Sequence, residues 1–385
     1  MPPTLAPNTL RLENYILANK YRGYDRYDGL ESPLFKLPAL NNKKLRFLVQ
    51  QITKRSLLNL RPLLGIPKGY NPVTLGLCLQ GFAYLSQVFP EKNEIYLERI
   101  EILLDELIRL QSKGFSGACW GYDFDWEARY ASIPAFTPTV VATGIITNSL
   151  FIAYELTQNR HALDLCISAV DFIRKDLNKV YEGDLFCYSY SPLDKQIVFN
   201  ATMKGARLLS QVYSINSDSS LLNEAALTVQ FVMKHQNRTG AWVYSHNDNR
   251  DWVDNYHTGY ILDCLETFVK LTGDETHRNN LELGFQFYCD NFFEHEKIPK
   301  FYDQKKYPVD CTSAAQSILT LVRFGKLKIA ENVANWMVSN MQAKDGHFYF
   351  RKYKYFTSKI SFMRWSNAWM FAALSYLLFK NSDLR

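Results

Sequence analysis

Apolar residues recur at three- and four-residue spacing through most of the chain, the period of a helix buried along one face. About twelve such stretches can be drawn, over 42–60, 72–88, 93–111, 138–157, 160–177, 200–215, 219–236, 255–271, 276–293, 310–325, 327–342 and 361–380. No stretch alternates for long enough to make an extended strand, so the pattern predicts a mainly α protein. The stretches also alternate in character. One of each pair is apolar nearly all round and rich in small residues, as in Thr139-Val-Val-Ala-Thr-Gly-Ile-Ile-Thr-Asn148, which suits a helix buried on every side. Its partner is amphipathic, as in 93–111, where Glu98, Arg99, Glu101, Asp105, Glu106 and Arg109 mark a solvent face.

The buried helices begin near 72, 138, 200, 255, 310 and 361, a recurring interval of roughly 50–65 residues that reads as an internal repeat. Six inner and six outer helices imply an (α/α)6 toroid of six helical hairpins. The expected division is an N-terminal strap over 1–41 and one toroid domain over 42–385, with helix 42–60 completing the last hairpin by packing near 361–380. Every connection from an outer to the next inner helix then emerges at one end of the ring. Those connections are the long ones, 112–137, 178–199, 237–254, 294–309 and 343–360, and loops of that length tend to be functional.

Composition sharpens this picture in one respect. The chain holds 24 Tyr, 25 Phe and 7 Trp, 15% aromatic, more than a helical core alone requires. Many of these rings fall in the long loops, so one end of the ring is expected to be an aromatic, charged mouth. The other features are ordinary. No uninterrupted apolar run reaches the roughly 18 residues that span a bilayer, and the first residues lack the basic and apolar regions of a secretion signal. The seven cysteines are scattered without a C-x-x-C pair, which fits reduced, buried thiols and a cytoplasmic address. A net charge of +6, not gathered into one block, lacks the footprint of a nucleic-acid binder but leaves room for an anionic substrate or for peripheral contact with the inner face of the membrane.

Three loop clusters carry candidate chemistry. In the first, Asp123, Asp125, Glu127 and Arg129 alternate between Trp120 and Tyr130, with Tyr122 and Trp126 interleaved. In an extended segment such carboxylates point one way, as an acid/base pair or an anchor for sugar hydroxyls, with indole faces for stacking on pyranose rings. Helix capping or pairing with Arg129 is the structural alternative. The second runs from Trp242 through Tyr244, His246 and Asp254 to His257 at the start of an inner helix, supplying the groups general acid–base catalysis uses. Here N-capping by Asp254 and a core hydrogen bond from His257 are the alternatives. In the third, Arg351 and Arg364 with Trp365, and Lys204 from an inner helix, bring positive charge toward the mouth and suit an anionic glycan. Tyr188, Tyr190 and Tyr302 add binding surface from the remaining loops, and Asp310 opens another inner helix as a further candidate acid.

Gln236-x3-Gly240-x-Trp242 and Gln342-x3-Gly346-x-Phe348 lie 106 residues apart, about two hairpins, with a looser Gln111…Gly117…Trp120 before them. This resembles the Gln–Trp repeat of squalene cyclases and protein prenyltransferases. The Asp-x-Asp-Asp motif that a class II terpene cyclase would need is broken by Trp126. His257, within Tyr256-His257-Thr258, together with Asp310 and Cys311 resembles the zinc ligands of prenyltransferase β-subunits. In that family, however, Asp and Cys are separated by one residue and precede the His, whereas here they are adjacent and follow it, and adjacent helix residues diverge by about 100°. No zinc and no cofactor are therefore expected. A wider likeness runs from Tyr21-Arg-Gly-Tyr-Asp-Arg-Tyr-Asp-Gly29 through Asn59-Leu-Arg-Pro-Leu-Leu-Gly65, Trp120-Gly-Tyr-Asp-Phe-Asp-Trp126 and Asp254-Asn-Tyr-His-Thr-Gly-Tyr260 to Met363-Arg-Trp-Ser-Asn-Ala-Trp-Met370. These segments resemble a bacterial family whose members tend to be encoded among exopolysaccharide and surface-glycan biosynthesis genes, which implies a context rather than a reaction.

The resulting expectation is a glycan-processing enzyme, a hydrolase, lyase or uronate epimerase, acting by acid–base catalysis on an acidic surface-polysaccharide intermediate. Its substrate would be an oligosaccharide or a lipid- or nucleotide-linked sugar, with no nucleic acid and no transmembrane segment. An isoprenoid-handling enzyme and a non-catalytic glycan-binding component of an assembly complex are the rival readings.

Overall fold

The computed structural model describes residues 5–37, 42–127 and 132–382. In chain order its α-helices are α1 (Leu5–Ala18), α2 (Lys43–Arg55), α3 (Pro72–Val88), α4 (Asn93–Arg109), α5 (Val140–Thr157), α6 (Arg160–Asp171), α7 (Phe199–Asn216), α8 (Ser219–Lys234), α9 (Asn255–Thr272), α10 (Arg278–Phe292), α11 (Cys311–Arg323), α12 (Leu327–Met341) and α13 (Trp369–Ser382). The odd-numbered helices from α3 onward form the inner ring: α3 packs on α5, α5 on α7, α7 on α9, α9 on α11, α11 on α13, and α13 returns to α3. The ring closes as an (α/α)6 toroid.

Sequence character follows position. Every residue of α3 from Pro72 to Ser86 is buried, because this helix meets neighbours on all sides. Close approach is bought with glycine: a Cβ on Gly81 would stand 2.4 Å from the Phe371 ring of α13. On α4 burial is confined to Tyr96, Ile100, Leu103, Leu104 and Leu107, a single stripe at helical spacing. Val140–Thr157 is long and apolar enough to cross a membrane by length and composition, and it stands as inner helix α5 between α3 and α7.

The closing outer helix differs from the one expected. Helix α1 packs on α13 and α12, while α2 packs on the 3-10 turn Asp28–Glu31 and the strand Trp126–Glu127. The Gln–Trp repeat explains why α1 takes this place. Gln236 Nε2 donates to Gly240 O in its own loop and to Asn280 O of the next outer helix, at 3.0 and 2.9 Å. Gln342 does the same with Gly346 O and Asn8 O, at 3.0 and 2.9 Å, so α1 stands to α12 as α10 stands to α8, two hairpins earlier. The apolar pattern of α1 is sparse, Leu5, Leu12 and Ile16, and Pro7 falls in its first turn, where a missing N–H breaks no helical bond.

The long connections gather at one end of the ring, where the inner helices begin. Side-chain oxygens of Asn71, Thr139, Asp254 and Asp310 accept first-turn N–H groups of α3, α5, α9 and α11. Short ladders knit the loops together: Ile197–Val198 pairs with Ser245–His246, and Arg351–Lys352 pairs with both Val309–Asp310 and Thr357–Ser358. No strand among the described residues is longer than four residues.

Candidate active site

A cavity of about 410 Å³ opens at this end of the ring. Its inner wall comes from the starts of the inner helices: Val141 and Ile145 of α5, Asn200 of α7, Tyr256, His257 and Tyr260 of α9, and Trp369 of α13. Loops contribute Tyr122, Phe124, Trp126, Glu127, Tyr190, Tyr244, Arg250 and Trp252, while Arg364 and Trp365 come from the π-helical turn that precedes α13. The outer wall is Tyr27 together with Phe47, Gln50, Lys54 and Arg55 on and beside the inward face of α2.

His257 is held in one orientation by a single carboxylate. Asp254 caps α9 by accepting the His257 backbone N–H through Oδ1 at 3.0 Å. Its Oδ2 lies 2.6 Å from His257 Nδ1 and accepts the Trp252 indole N–H at 3.0 Å. A carboxylate facing Nδ1 assigns the proton to that nitrogen and leaves Nε2 free to take or give one. The His257 side chain is 17% exposed, whereas Asp254 is buried behind it. Capping and a satisfied imidazole are thus both present, and they are what orient the ring.

Glu127 is the one carboxylate among the cavity's described lining residues. Its backbone N–H donates to Gln50 Oε1 at 2.7 Å, and its Oε2 accepts from Ser132 Oγ at 3.0 Å. Arg46 Nε stands 3.7 Å from Oε2. Oε1 is buried without a hydrogen-bond partner among the described residues, an arrangement that costs free energy unless a donor is supplied.

Charge in the cavity is positive on balance. Arg364 makes a bidentate pair with Asp25, at 2.6 and 2.7 Å, and lies over the Tyr122 ring at 4.7 Å. Burial works against its charge, but the Asp25 carboxylate outweighs this and raises the guanidinium pKa. Lys54 Nζ is 4.7 Å from the centre of the Tyr27 ring. Burial raises most of the phenols here, Tyr122, Tyr190, Tyr244, Tyr256 and Tyr260. Tyr27 goes the other way: burial opposes ionisation, but Lys54, Arg26, Arg364 and Arg351 together lower its pKa. A phenol that ionises more readily than its neighbours is a plausible acid or base.

Of the residues expected from sequence, Glu127, Tyr244, His257, Tyr122, Trp126, Tyr190, Arg364 and Trp365 line this cavity, and Asp254 stands directly behind it. Others do not. Asp123 turns into a neighbouring cavity of about 140 Å³ beside Asp25, Asp28 and Glu31, where Asn71 bonds it at 2.6 Å and burial raises its pKa. Asp125 pairs with Arg46 at 2.8 Å and accepts the Ala135 N–H. Asp310 is fully buried, capping α11 and pairing with Arg351 at 2.5 Å, so both are structural. Cys311 faces Ser366 O at 3.7 Å, and with Asp310 committed to Arg351 the three zinc-type residues do not assemble.

Trp120 and Trp242 are buried plugs, their indole N–H groups bonded to Leu107 O and Val232 O at 2.8 and 3.1 Å. Tyr188 is likewise buried, its hydroxyl donating to Glu224 at 2.7 Å. Lys204 lies beneath the cavity floor, its Nζ 3.6 Å over the Tyr260 ring, and burial pulls its pKa down to about 7. Tyr302 packs on Phe301 and bridges to Asp254 through the backbone, outside the lining. His246 meets His235 edge to face, ring centres 4.3 Å apart, and points toward Glu182 on the outer rim, the three ligand-type atoms lying within 4.8 Å of one another. Arg129 falls outside the described residues.

The sequence reading missed the outer wall: Tyr27, Phe47, Gln50, Lys54 and Arg55. The signals are present in the Tyr- and Asp-rich segment 21–29, expected within a strap over 1–41, and in the segment 42–60, expected to complete the last hairpin.

No protein-family model matches the chain, and a search of curated proteins finds no match. The surface-glycan likeness therefore rests on the sequence motifs alone. Among solved structures the chain is similar to a GH76 alpha-mannanase from Bacteroides thetaiotaomicron, with a TM-score of 0.60 and 10% identity over 81% of this chain and 87% of that one. It is also similar to a cellobiose 2-epimerase from Bacillus thermoamylovorans, with a TM-score of 0.61 and 15% identity over 80% of this chain and 87% of that one. A sugar epimerase from a ruminal bacterium gives a TM-score of 0.61 and 12% identity, over 82% of this chain and 90% of that one. At these identities the likeness establishes the shared (α/α)6 toroid.

Proposed function

We propose that this protein is a carbohydrate-active enzyme that moves a proton on an acidic sugar held in the cavity, by epimerase- or lyase-type chemistry. The observation that carries this reading is the Asp254–His257 pair, a buried carboxylate fixing the tautomer of an imidazole that lines an aromatic cavity. Trp126, Tyr244 and Trp252 offer faces for a pyranose ring. Arg364, Lys54 and Arg55 suit a sugar carboxylate, and neutralising that carboxylate acidifies the adjacent C–H. Glu127, or the phenol of Tyr27, is available as the second acid–base group. Two-carboxylate glycoside hydrolysis is less well supported, because Glu127 is the one carboxylate among the described lining residues. That two of the structural neighbours are named as epimerases agrees with the reading. The substrate we favour is an intermediate of acidic surface polysaccharide, lipid- or nucleotide-linked, processed in the cytoplasm.

Incubation with a panel of uronate-containing oligosaccharides in deuterated water tests this. Turnover should place deuterium on a sugar carbon or generate an unsaturated product, and His257→Ala should abolish it. Incorporation of labelled water oxygen at a new reducing end, without carbon-bound deuterium, would assign hydrolysis instead.

A further inference from the structure

Between Glu31 and Glu91 the chain contains no Asp or Glu but eight Lys and Arg. That segment includes α2, which forms the outer wall of the cavity. On the face of α2 turned away from the cavity, Lys44, Leu48 and Ile52 follow one another at helical spacing, and all are exposed. Leu57 and Leu58 come directly after the helix, Leu58 being 74% exposed, and Leu63 in the following turn is 85% exposed.

These leucines are held outward by rigid neighbours. Ser56 Oγ donates to Leu58 O at 2.7 Å, and Ser32 Oγ donates to Leu64 O at 2.7 Å. Between them Arg61 is fully buried, bonded to Asp28 Oδ1 and to Asp25 O, both at 2.6 Å. The patch continues across the rim: Ser358 Oγ bonds Leu57 O at 3.4 Å, bringing up the loop that carries Tyr355, 86% exposed, and Lys352, Lys354 and Lys359. That loop also lacks carboxylates, none occurring between Asp345 and Asp383. Single exposed leucines are ordinary, but a run of them on a segment of one charge sign is not.

We infer that this face docks on the surface of an anionic lipid bilayer, with the leucines and Tyr355 entering the headgroup region and the lysines meeting lipid phosphates. A second protein would more often present carboxylates at discrete positions; Lys43, Lys44, Lys354 and Lys359, all exposed on segments without an acidic residue, match a surface of uniform negative charge. Docked this way, the cavity mouth lies beside the membrane, where the sugar of a lipid-linked glycan would be presented. This last point rests on the function proposed above, whereas the docking itself does not.

Sedimentation with vesicles of phosphatidylcholine alone, or of phosphatidylcholine mixed with phosphatidylglycerol, tests it. The full-length protein should bind the mixed vesicles, and raised salt should release it. Lys43→Glu/Lys44→Glu and Leu58→Gln/Leu63→Gln should each lower partitioning about tenfold or more, with melting temperature and turnover of a soluble acidic sugar unchanged. Absence of binding to the anionic vesicles, or binding that the variants leave intact, would overturn the inference. So would a dimer in solution that only the leucine variant dissociates, which would make the occupant a second copy of the chain. Vesicle binding without any sugar turnover would instead overturn the proposed function and leave the docking face standing.

Discussion

Asp254 grips His257 twice, at its backbone N–H and at ring Nδ1, so a single carboxylate both starts helix α9 and sets the imidazole tautomer. Asn at this position can still cap, because its carbonyl oxygen replaces Oδ1. Its amide N–H₂ would, however, face the donors on His257 and Trp252. Asp254→Asn should therefore lower kcat by about 10²- to 10⁴-fold while shifting Tm little, as read from steady-state kinetics alongside thermal melts.

Glu127 carries a buried oxygen with no partner among the described residues. Glu127→Gln removes the charge and should abolish or strongly reduce turnover without loss of stability, whereas Asp125→Asn should leave kcat within a few-fold, since Asp125 faces Arg46 outside the cavity lining. Equal losses in both variants would show that the two carboxylates act together after all.

The buried pair Asp310–Arg351 predicts a different signature. Breaking it by Asp310→Ala strands a guanidinium and uncaps α11, so unfolding free energy should fall by about 3–5 kcal/mol. Activity per folded molecule should persist below the new melting transition.

Lys204 gives a pH dependence. Burial holds its pKa near 7 in the folded protein, against about 10.4 in an unfolded chain. Between those values the unfolded state binds a proton that the folded state lacks, so this residue makes stability rise with pH across that window. The burial penalty is absent above the unfolded pKa and fully present once pH falls through the folded one. Lys204→Met should accordingly be more stable than the parent at pH 7, on the order of 2–4 kcal/mol, with the gap closing toward pH 10 in denaturant titrations.

The tryptophans separate packing from binding. Trp242→Phe loses the bond to Val232 O and should cost about 1 kcal/mol of stability with KM unchanged. Trp126→Ala opens the cavity wall and should raise KM with little change in Tm.

The sequence by itself determined the helices and their two characters, because burial on one face or on all faces writes a local period into the residues, and it placed the long aromatic loops at one end of the ring. It also singled out Glu127, Tyr244 and His257, which line the cavity, and Asp254, which stands behind it. Tertiary structure alone decided which helix closed the ring. The sparse apolar pattern of α1 hid a role that its contacts with α12 and α13 make plain, and α2 was released to wall the cavity. The same limit separated Glu127 from Asp123 and Asp125, and Trp126 from Trp120 and Trp242. Neighbours in sequence share composition, but the direction of each side chain is set by what packs against its backbone. Hydrogen bonds with Gln50, Asn71, Leu107 O and Val232 O fix those directions, and none of these partners is local to the motif it orients.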